Sequence, residues 1–395
     1  FGTDSRPRPF SRRRLKFEKP VRFDFSAFGK EPNSLRRLFL FSLDKNIQNL
    51  QKFCYNNNMK IAVGLSGGVD SSVCAYLLQQ QGHDVTAITM KLTSEDDHSD
   101  AKKTAEFLKI PFYEIDLTKE YREKIIAYVK EDYENGRTPN PCVRCNREVK
   151  FGIFWEKAEE LGIKFDRFAT GHYAVIDYDE KMRRYRLKKG AHAEKDQVYF
   201  LAMLSQRQLA KTIFPLGEMT KAEVRKIAAA AGLPTAEKKE SQDLCVGDYK
   251  RFFSDETDGP FIELPNGKEV GRHRGIHRYT VGQRRGLNIG IGYPLFVLKI
   301  DAESDTVYVG KEEMLLSKTV TIRDVNFSAL TECSVGTEGI VKIRYRDEGH
   351  LGRIKEVKAD GRIVIEWETP VRAVTPGQLC VFYKGDYVGF AGFIC

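Results

Sequence analysis

The 395-residue sequence has no long hydrophobic run and no recognisable secretory signal peptide. A membrane-spanning helix needs roughly 18 or more consecutive apolar residues, so the sequence predicts none. It also has no internal repeat and no low-complexity tract, and its length predicts two or three domains with well-buried cores. Eight cysteines in such a chain indicate a reducing, cytoplasmic setting, where spaced cysteines serve chemistry more often than structural disulfides.

Most of the chain also lacks an excess of charge of one sign, although the formal net charge is +9. Residues 1–58 hold 13 Lys and Arg against 5 Asp and Glu, which leaves 51 against 50 for the remainder. The bulk charge therefore does not indicate nucleic-acid binding, and any such contact must come from a local basic patch.

Residues 1–58 contain no methionine, and Met59 opens directly onto the first apolar run. We interpret them as an extension, disordered or foreign to the natural protein, with Met59 as the natural start. An organellar transit peptide is one alternative, which the five acidic residues fit poorly. A basic arm that touches RNA is the other.

Against these absences stands a glycine- and serine-rich turn between an apolar strand, residues 61–63, and a helical pattern from Val73 onwards. Its glycines allow backbone N–H groups to approach an anion, and the helix N-terminus adds partial positive charge. Asp70 indicates a metal ion beside the bound phosphate. No Gly-Lys-Ser/Thr follows, so this is not a Walker loop. The turn reads Gly64-Leu65-Ser66-Gly67-Gly68-Val69-Asp70-Ser71-Ser72.

Apolar strand-like runs alternate with helical patterns as far as about residue 175. This alternation is typical of an α/β domain with a parallel sheet covered on both faces, which binds ligands at the carboxyl ends of its strands. Met90 lies at such an end, where it either flanks a purine or packs in the core. After residue 275, short β-rich runs separated by turns predict a small β-barrel or sandwich domain, of which we expect the barrel. The expected domains are 59–208 (ATP-binding and catalytic), 209–272 (small and mixed) and 273–395 (β-barrel). The expected strands of the first domain are 61–65, 85–92, 112–117 and 165–170, and its helices are 73–81, 101–108, 119–134 and 147–161.

Cys142 and Cys145 follow two prolines in the segment GRTPNPCVRCNREVKF, residues 136–151. We expect Cys145 near a helix N-terminus, a position that favours the thiolate. A zinc site is the alternative, but no second CxxC and no HxxxH is present. Cys245 follows a lysine-rich loop, again a plausible activating position. The other five cysteines (Cys54, Cys74, Cys333, Cys380 and Cys395) lack polar motif context and are interpreted as small hydrophobes.

The glycine-rich loop resembles the PP-loop of ATP pyrophosphatases, whose domains have an adenine nucleotide alpha hydrolase-like fold. The whole set of motifs, in this order, resembles the tRNA-specific 2-thiouridylases from Met59 almost to the C-terminus. The motifs are SGGVDSS, GRTPNP-x-x-x-CN-x-x-x-KF, ATGHY at 169–173, KDQ-x-YFL at 195–201, Cys245, TVGQRRGL and TPGQ. The resemblance implies that ATP, with Mg²⁺, adenylates the C2 oxygen of the wobble uridine, U34, of tRNA. A persulfide on Cys245 then supplies sulfur, and Cys145 resolves it by forming a disulfide with Cys245.

The same resemblance assigns site residues one by one. Cys145, Cys245 and Asp70 would be catalytic. The residues that would contact ATP are Gly64, Leu65, Ser66, Gly67, Gly68, Val69, Asp70, Ser71, Met90 and Gly171. Those that would line the target base are Asn140, Pro141 and Cys142. Those that would contact tRNA are His172, Lys195, Asp196, Gln197, Arg344, Tyr345 and Gln378. An arginine cluster (Arg272, Arg274, Arg278, Arg284 and Arg285) would position tRNA phosphates.

Two departures from the family pattern leave alternatives open. Many members have Asp at the position of Cys142, so Cys142, Cys145 and Cys245 could instead hold a [4Fe–4S] cluster that delivers sulfur. The second departure is the stretch 93–100, which is short and acidic compared with the same stretch in many members. Rival functions are another PP-loop ligase, a non-catalytic tRNA-binding protein and an ATP-independent thiol redox protein. The expected partners are lysine, glutamate and glutamine tRNAs and a sulfur donor such as a cysteine desulfurase or relay protein, and we expect a monomer.

Overall fold

The computed structural model describes residues 58–191, 196–239, 247–253 and 258–395. The predicted extension, Lys195 and Cys245 lie outside these ranges. The described part begins with a five-stranded parallel sheet of order β3-β2-β1-β4-β7. Its strands are β1 (Lys60–Gly64), β2 (Asp84–Lys91), β3 (Phe112–Asp116), β4 (Arg167–Ala169) and β7 (Thr212–Ile213).

Both faces of this sheet are buried. Ile61 and Val63 of β1 pack in one hydrophobic core and Ala62 in another, because successive side chains of a strand point to opposite faces. The strand order places β2 and β4 on either side of β1, so a crevice opens at the carboxyl end of β1. The predicted α/β class is confirmed.

Helices cover the sheet, and two of them contain π-helical turns. The helix over 118–134 has one at Arg122–Ile126, and the helix over 141–160 has one at Cys145–Ile153. The helices are α1 (Val69–Gln80), α2 (Ser99–Leu108), α3 (Thr118–Tyr121 and Ala127–Glu134 around its π turn), α4 (Pro141–Arg144 and Phe154–Glu160 around its π turn), α5 (Val198–Leu201), α6 (Gln206–Lys211) and α7 (Lys221–Ala230).

The helix predicted from Arg147 begins six residues earlier, at Pro141. Asn140 is its N-cap and accepts a hydrogen bond from the Val143 N–H, and Pro141 occupies the first helical position. Both residue types are favoured at those places, so the Asn-Pro pair is a start signal that the prediction missed.

A second, four-stranded sheet of order β10-β11-β8-β9 has its own core around Phe261, Val297 and Val307. Its strands are β8 (Asp258–Glu263), β9 (Lys268–Arg274), β10 (Phe296–Asp301) and β11 (Thr306–Gly310).

A six-stranded antiparallel β-barrel completes the chain and confirms the barrel expected at this end. It closes because β12 pairs with both β15 and β17. Trp367, Phe382 and Phe390 fill its interior. Its strands are β12 (Leu316–Phe327), β13 (Glu338–Lys342), β14 (His350–Val357), β15 (Ile363–Arg372), β16 (Leu379–Lys384) and β17 (Tyr387–Ile394).

The barrel packs directly against the first domain. A hairpin of that domain, β5 (Ala174–Asp179) and β6 (Arg184–Lys189), continues the barrel sheet through pairing of Lys188 with Tyr387. Leu379 and Phe393 of the barrel also belong to the same hydrophobic core as Val149 of α4. No described helix is long and apolar enough to span a membrane.

Candidate active site

A cavity of about 290 Å³ opens at the carboxyl ends of β1, β2 and β4. Seven of the ten residues predicted to contact ATP line it: Gly64, Leu65, Ser66, Asp70, Ser71, Met90 and Gly171. The crevice expected from the strand order is therefore present, and the glycine-rich turn forms its floor. The specific contacts to ATP stay predictions.

The turn is held by its own side chains and by close backbone packing. Ser71 Oγ accepts a hydrogen bond from the Ser66 N–H and donates one to the Gly68 carbonyl, each at 3.1 Å. Gly67 has a φ of +72°, and an added Cβ would lie 3.0 Å from the backbone nitrogen of Ala101. Gly171 is closer still, since a Cβ there would lie 2.7 Å from the carbonyl carbon of Asp70. Only glycine fits both positions.

The N-terminus of α1 faces this turn without a side-chain cap, because its N-cap residue is Gly68. The first N–H groups of a helix have no partner within it and attract anions. The arrangement can therefore bind phosphate, as the sequence indicates.

Asp70 is held by Tyr173, the last residue of the ATGHY motif, and by Lys221, which no motif singled out. Lys221 Nζ lies 2.6 and 2.7 Å from its two carboxylate oxygens, and the Tyr173 hydroxyl donates to Oδ1 at 2.8 Å. Lys221 is the first residue of α7, whose N-terminus carries a capping box of Thr220 and Glu223. The sequence predicts a helix over 221–231, and the Thr-x-x-Glu pattern marks its start. It could not have shown that Lys221 reaches Asp70.

Asp70 is also the one carboxylate among the described residues that line the cavity. Mg²⁺ is commonly held by one or two carboxylates together with the phosphates of a substrate. Asp70 therefore fits a Mg²⁺ ion that arrives with a nucleotide, and such an ion would share the carboxylate with Lys221. The described residues contain no cluster of three or more His, Cys, Asp or Glu arranged to hold a metal by itself.

His172 and Gln197, which the sequence assigned to tRNA, line the nucleotide cavity. The His172 ring packs near Phe151 and Phe214, and its Nδ1 lies 2.7 Å from Thr170 Oγ1. Burial, with the nearby Lys150 ammonium, holds the pKa of His172 well below its usual range. His172 is therefore a neutral imidazole at the cavity wall.

The Asp196 side chain is bound by backbone N–H groups. Its Oδ1 accepts hydrogen bonds from the backbone N–H groups of Gly190 (3.3 Å) and Val198 (3.2 Å), and burial raises its pKa. Gln197 likewise accepts from the Tyr173 N–H at 3.1 Å. Both side chains thus fix the backbone around the cavity, and their assignment to tRNA stays a prediction.

Cys142 lies in the first turn of α4 and is partly exposed, whereas Cys145 begins the π turn and is only 4% exposed. Cys145 lies one turn past the helix N-terminus near which it was expected, because Asn140 and Pro141 start the helix before it. The favourable field of a helix end fades after its first turn, so Cys142 receives it instead.

The loop before Cys142 is held by the two C-terminal modules. The Gln378 amide donates to the carbonyls of Thr138 and Pro139, each at 3.0 Å, and the Thr138 N–H donates to the Pro376 carbonyl at 2.8 Å. Thr138 Oγ1 also donates to Thr280 Oγ1 at 3.2 Å. The TPGQ and TVGQ motifs thus meet at the loop that carries the predicted target-base residues.

The π turn of α4 is braced from outside as well. The Gln208 amide donates to the carbonyls of Arg147 (2.7 Å) and Phe151 (2.8 Å). Arg147 forms a two-point ion pair with Asp324 of β12. The Asn146 amide donates to the Phe200 carbonyl at 3.1 Å. A π turn leaves the helical ladder locally irregular, and the Gln208 amide gives two of its backbone carbonyls a hydrogen-bond partner.

The remaining predicted residues divide by exposure and pairing. Tyr345 is 37% exposed, and its ring lies 4.5 Å from the Phe200 ring. Arg344 donates to the Arg372 carbonyl. Arg272 is paired with Asp258 and Glu269, which weakens the predicted arginine cluster as a phosphate site.

Two other cysteines behave as the sequence indicates. Cys74 and Cys380 are fully buried, and burial raises the pKa of both thiols far above the usual value. They are therefore inert packing residues.

Three family models match the chain in the order of its structural modules. They are described as the tRNA methyl transferase HUP domain (residues 59–248), the tRNA methyl transferase PRC-barrel domain (250–311) and the aminomethyltransferase beta-barrel domain (317–392). The second match covers the four-stranded sheet, and the third covers most of the six-stranded barrel.

Curated relatives match almost over their full length. The tRNA-specific 2-thiouridylase MnmA of Treponema denticola is 43% identical over 85% of this chain and 98% of its own length. MnmA 1 of Caldanaerobacter subterraneus subsp. tengcongensis is 42% identical with the same coverage of both chains. The U34-tRNA thiolase NcsA from Methanococcus maripaludis is a distant structural neighbour, with a TM-score of 0.35 and 21% identity over 54% of this chain and 70% of its own. That likeness is too slight to support a conclusion, but the curated relatives suffice: this chain belongs to the tRNA-specific 2-thiouridylase family.

Proposed function

We propose that the protein catalyses ATP-dependent 2-thiolation of the wobble uridine, U34, of tRNA. One observation carries the proposal: a single helix, α4, bears Cys142 and Cys145 near its start and lines the nucleotide cavity with Lys150 and Phe154. A nucleotide site and a pair of thiols on one braced helix suit a reaction that activates a base with ATP and then delivers sulfur to it. The named activity of the relatives agrees.

In the first step, the phosphate loop and the N-terminus of α1 hold ATP. The C2 oxygen of the uracil ring forms a bond to the α-phosphorus, the bond from that phosphorus to pyrophosphate breaks, and the N3 proton passes to solvent. Mg²⁺ held by Asp70 would supply positive charge to the leaving pyrophosphate. The product is a C2 adenylate, in which the oxygen has become part of a good leaving group.

In the second step, the terminal sulfur of a Cys245 persulfide attacks C2, and AMP leaves with the electrons of the C2–O bond. The Cys145 thiolate then attacks the Cys245 sulfur, and the persulfide S–S bond breaks. Its electron pair stays on the sulfur bound to C2, N3 takes back a proton from solvent, and the products are 2-thiouridine and a Cys145–Cys245 disulfide. An external thiol must reduce that disulfide before the next turnover.

A cluster on Cys142, Cys145 and Cys245 is the alternative sulfur route, favoured by the partly exposed Cys142 three residues before Cys145. In either route we propose that the half-exposed Tyr345 and the barrel contact tRNA. The three isoacceptors, the desulfurase or relay donor, the monomeric state and the cytoplasmic location stay predictions.

The test is anaerobic thiolation of unmodified tRNA by the full chain, with a cysteine desulfurase, ATP and a thiol reductant. We expect Cys145→Ser and Cys245→Ser to abolish 2-thiouridine formation while the affinity for ATP is retained, and Cys333→Ser, as the matched control, to stay active. Survival of activity in Cys142→Ser without bound iron supports the persulfide route. Stoichiometric iron and sulfide that are lost with activity in Cys142→Ser indicate the cluster. Absence of thiolation under all conditions contradicts the function.

A further inference from the structure

Among the residues that the structure describes, Lys150 is the cation of the nucleotide cavity that has no carboxylate partner. It lies within the π turn of α4, is half-buried and lines the cavity. Within the described ranges, no carboxylate forms an ion pair with it and no hydrogen bond fixes its ammonium. Withdrawing a lysine from water without a partner is unfavourable, and an anionic ligand would offset that cost.

Two lysines beside the phosphate loop are already paired with carboxylates. Lys221 is bound to both oxygens of Asp70, and Lys238 Nζ lies 2.6 Å from Asp100, which packs beside Gly67. Lys150 differs from these two lysines in being available to a ligand.

The backbone is shaped around this residue. The π turn over Cys145–Ile153 contains a kink at Phe151 (φ −103°, ψ 19°), and Gln208 satisfies carbonyls on both sides of Lys150. Residues five apart in an α-helix point about 140° away from each other, and the wider π turn reduces that angle between Cys145 and Lys150. Irregular turns of this kind are frequent at functional sites.

The position of Lys150 also indicates which phosphate group of ATP it would contact. The target base must reach the thiols of α4, and the atom of ATP that reacts with the base is the α-phosphorus. The phosphate loop and α1 hold the other end of the triphosphate. The α-phosphate therefore lies on the α4 side of the cavity, where Lys150 lines the wall beside the neutral ring of His172.

We propose that Lys150 binds the α-phosphate of ATP and stabilises the charge that develops there while the C2 oxygen–phosphorus bond forms and the bond to pyrophosphate breaks. The inference rests on the proposed thiolation. It adds a catalytic residue to the adenylation step, since its ammonium would contact the reacting group.

The test compares Lys150→Met, Lys150→Arg and a control on the same helix, Lys157→Met, whose lysine pairs with Glu120 and Glu160 on the surface. Loss of one preorganised charge at a reacting centre costs about 10²–10³-fold in rate. We expect pyrophosphate release with unmodified tRNA to fall that much in Lys150→Met, with a smaller change in ATP affinity. Lys150→Arg should recover at least about tenfold, and Lys157→Met should match the unmodified protein. A rate within threefold in Lys150→Met would overturn the proposal.

A second readout separates this inference from the proposed function. The ³¹P resonance of the α-phosphate of bound ATP should shift in Lys150→Met and not in Lys157→Met, whether or not the protein thiolates tRNA. An unchanged α-phosphate resonance contradicts the role of Lys150. A changed resonance together with no thiolation supports the contact and rejects the thiolase reaction.

Discussion

The phosphate loop and the cysteine helix are positioned in opposite ways. The loop is held by hydrogen bonds among its own residues, such as Ser66, Gly68 and Ser71, and by close backbone packing. The cysteine helix is held from outside, by Gln208 and by residues of the barrel such as Asp324 and Gln378. The ATP site should therefore depend on local sequence, and the sulfur chemistry should depend on the assembled modules.

We expect the largest effect from Gly171→Ala, which disturbs the packing of the phosphate loop. The added Cβ would lie 2.7–2.9 Å from the backbone and Cβ of Asp70 and the nitrogen of Ser71, so the loop must shift. A displacement of about 1 Å at a reacting site costs on the order of 10²-fold in rate. We expect the ATP affinity, measured by equilibrium dialysis, to fall by a similar factor. Gly290→Ala, where an added Cβ meets open space, is the control. An unchanged affinity would mean that the loop does not bind the nucleotide.

Gln378→Met weakens the support of the cysteine helix, because it removes both amide hydrogen bonds to the Thr138 and Pro139 carbonyls. Unmade hydrogen bonds of this kind cost about 1–3 kcal/mol. Thiolation should therefore slow by about tenfold while the affinities for ATP and for tRNA stay unchanged. Glu356→Gln, an exposed change on the same barrel, should be silent. If tRNA affinity falls instead, Gln378 is a tRNA contact, as the sequence predicts, and not a brace.

His172 sharpens the comparison because its ring lies between the nucleotide cavity and Phe151 of the helix. Its pKa is lowered in the folded protein by burial and by Lys150, so below pH about 6.5 the unfolded chain binds a proton that the folded chain does not. The contribution of neutral His172 to the free energy of unfolding is therefore complete above that pH and is lost as the pH falls. The decrease in melting temperature from pH 7.5 to 5.5 should be smaller in His172→Asn. His83, His273 and His277, whose pKa values are also lowered, act equally in both proteins. Equal decreases would contradict the buried neutral state of His172.

The same division explains what could be predicted from the sequence. The loop was readable because glycine, serine and helix-start signals are local, and Gly67 and Gly171 occupy positions that only glycine tolerates. The parallel sheet and the barrel followed from strand spacing. The pairing of Lys221 with Asp70 joins residues 151 apart, and nothing near Lys221 records it.

The start of the cysteine helix was missed for a different reason. The sequence predicts a helix from Arg147, whereas Pro141, the second proline of the motif, is itself the first helical residue. The π turn is supported by Gln208 and by the barrel, so no local sequence pattern predicts it. Lys150 therefore looked like part of a motif and not like a member of the cavity wall.

The smallest effect belongs to the ion pair between Arg147 and Asp324, which joins the helix to β12 across 177 residues. Its side chains are 32% and 41% exposed, and pairs of that kind contribute about 0.2–1 kcal/mol. A double-mutant cycle in urea unfolding with Arg147→Gln and Asp324→Asn should give a coupling energy in that range, and thiolation should change less than threefold. A coupling above about 2 kcal/mol would place the strongest brace of the helix at β12, and Gln378 would then be a secondary support. A coupling near zero would leave the hydrogen bonds of Gln208 and Gln378 to hold the helix, because those bonds reach backbone carbonyls that solvent screens less than this exposed pair.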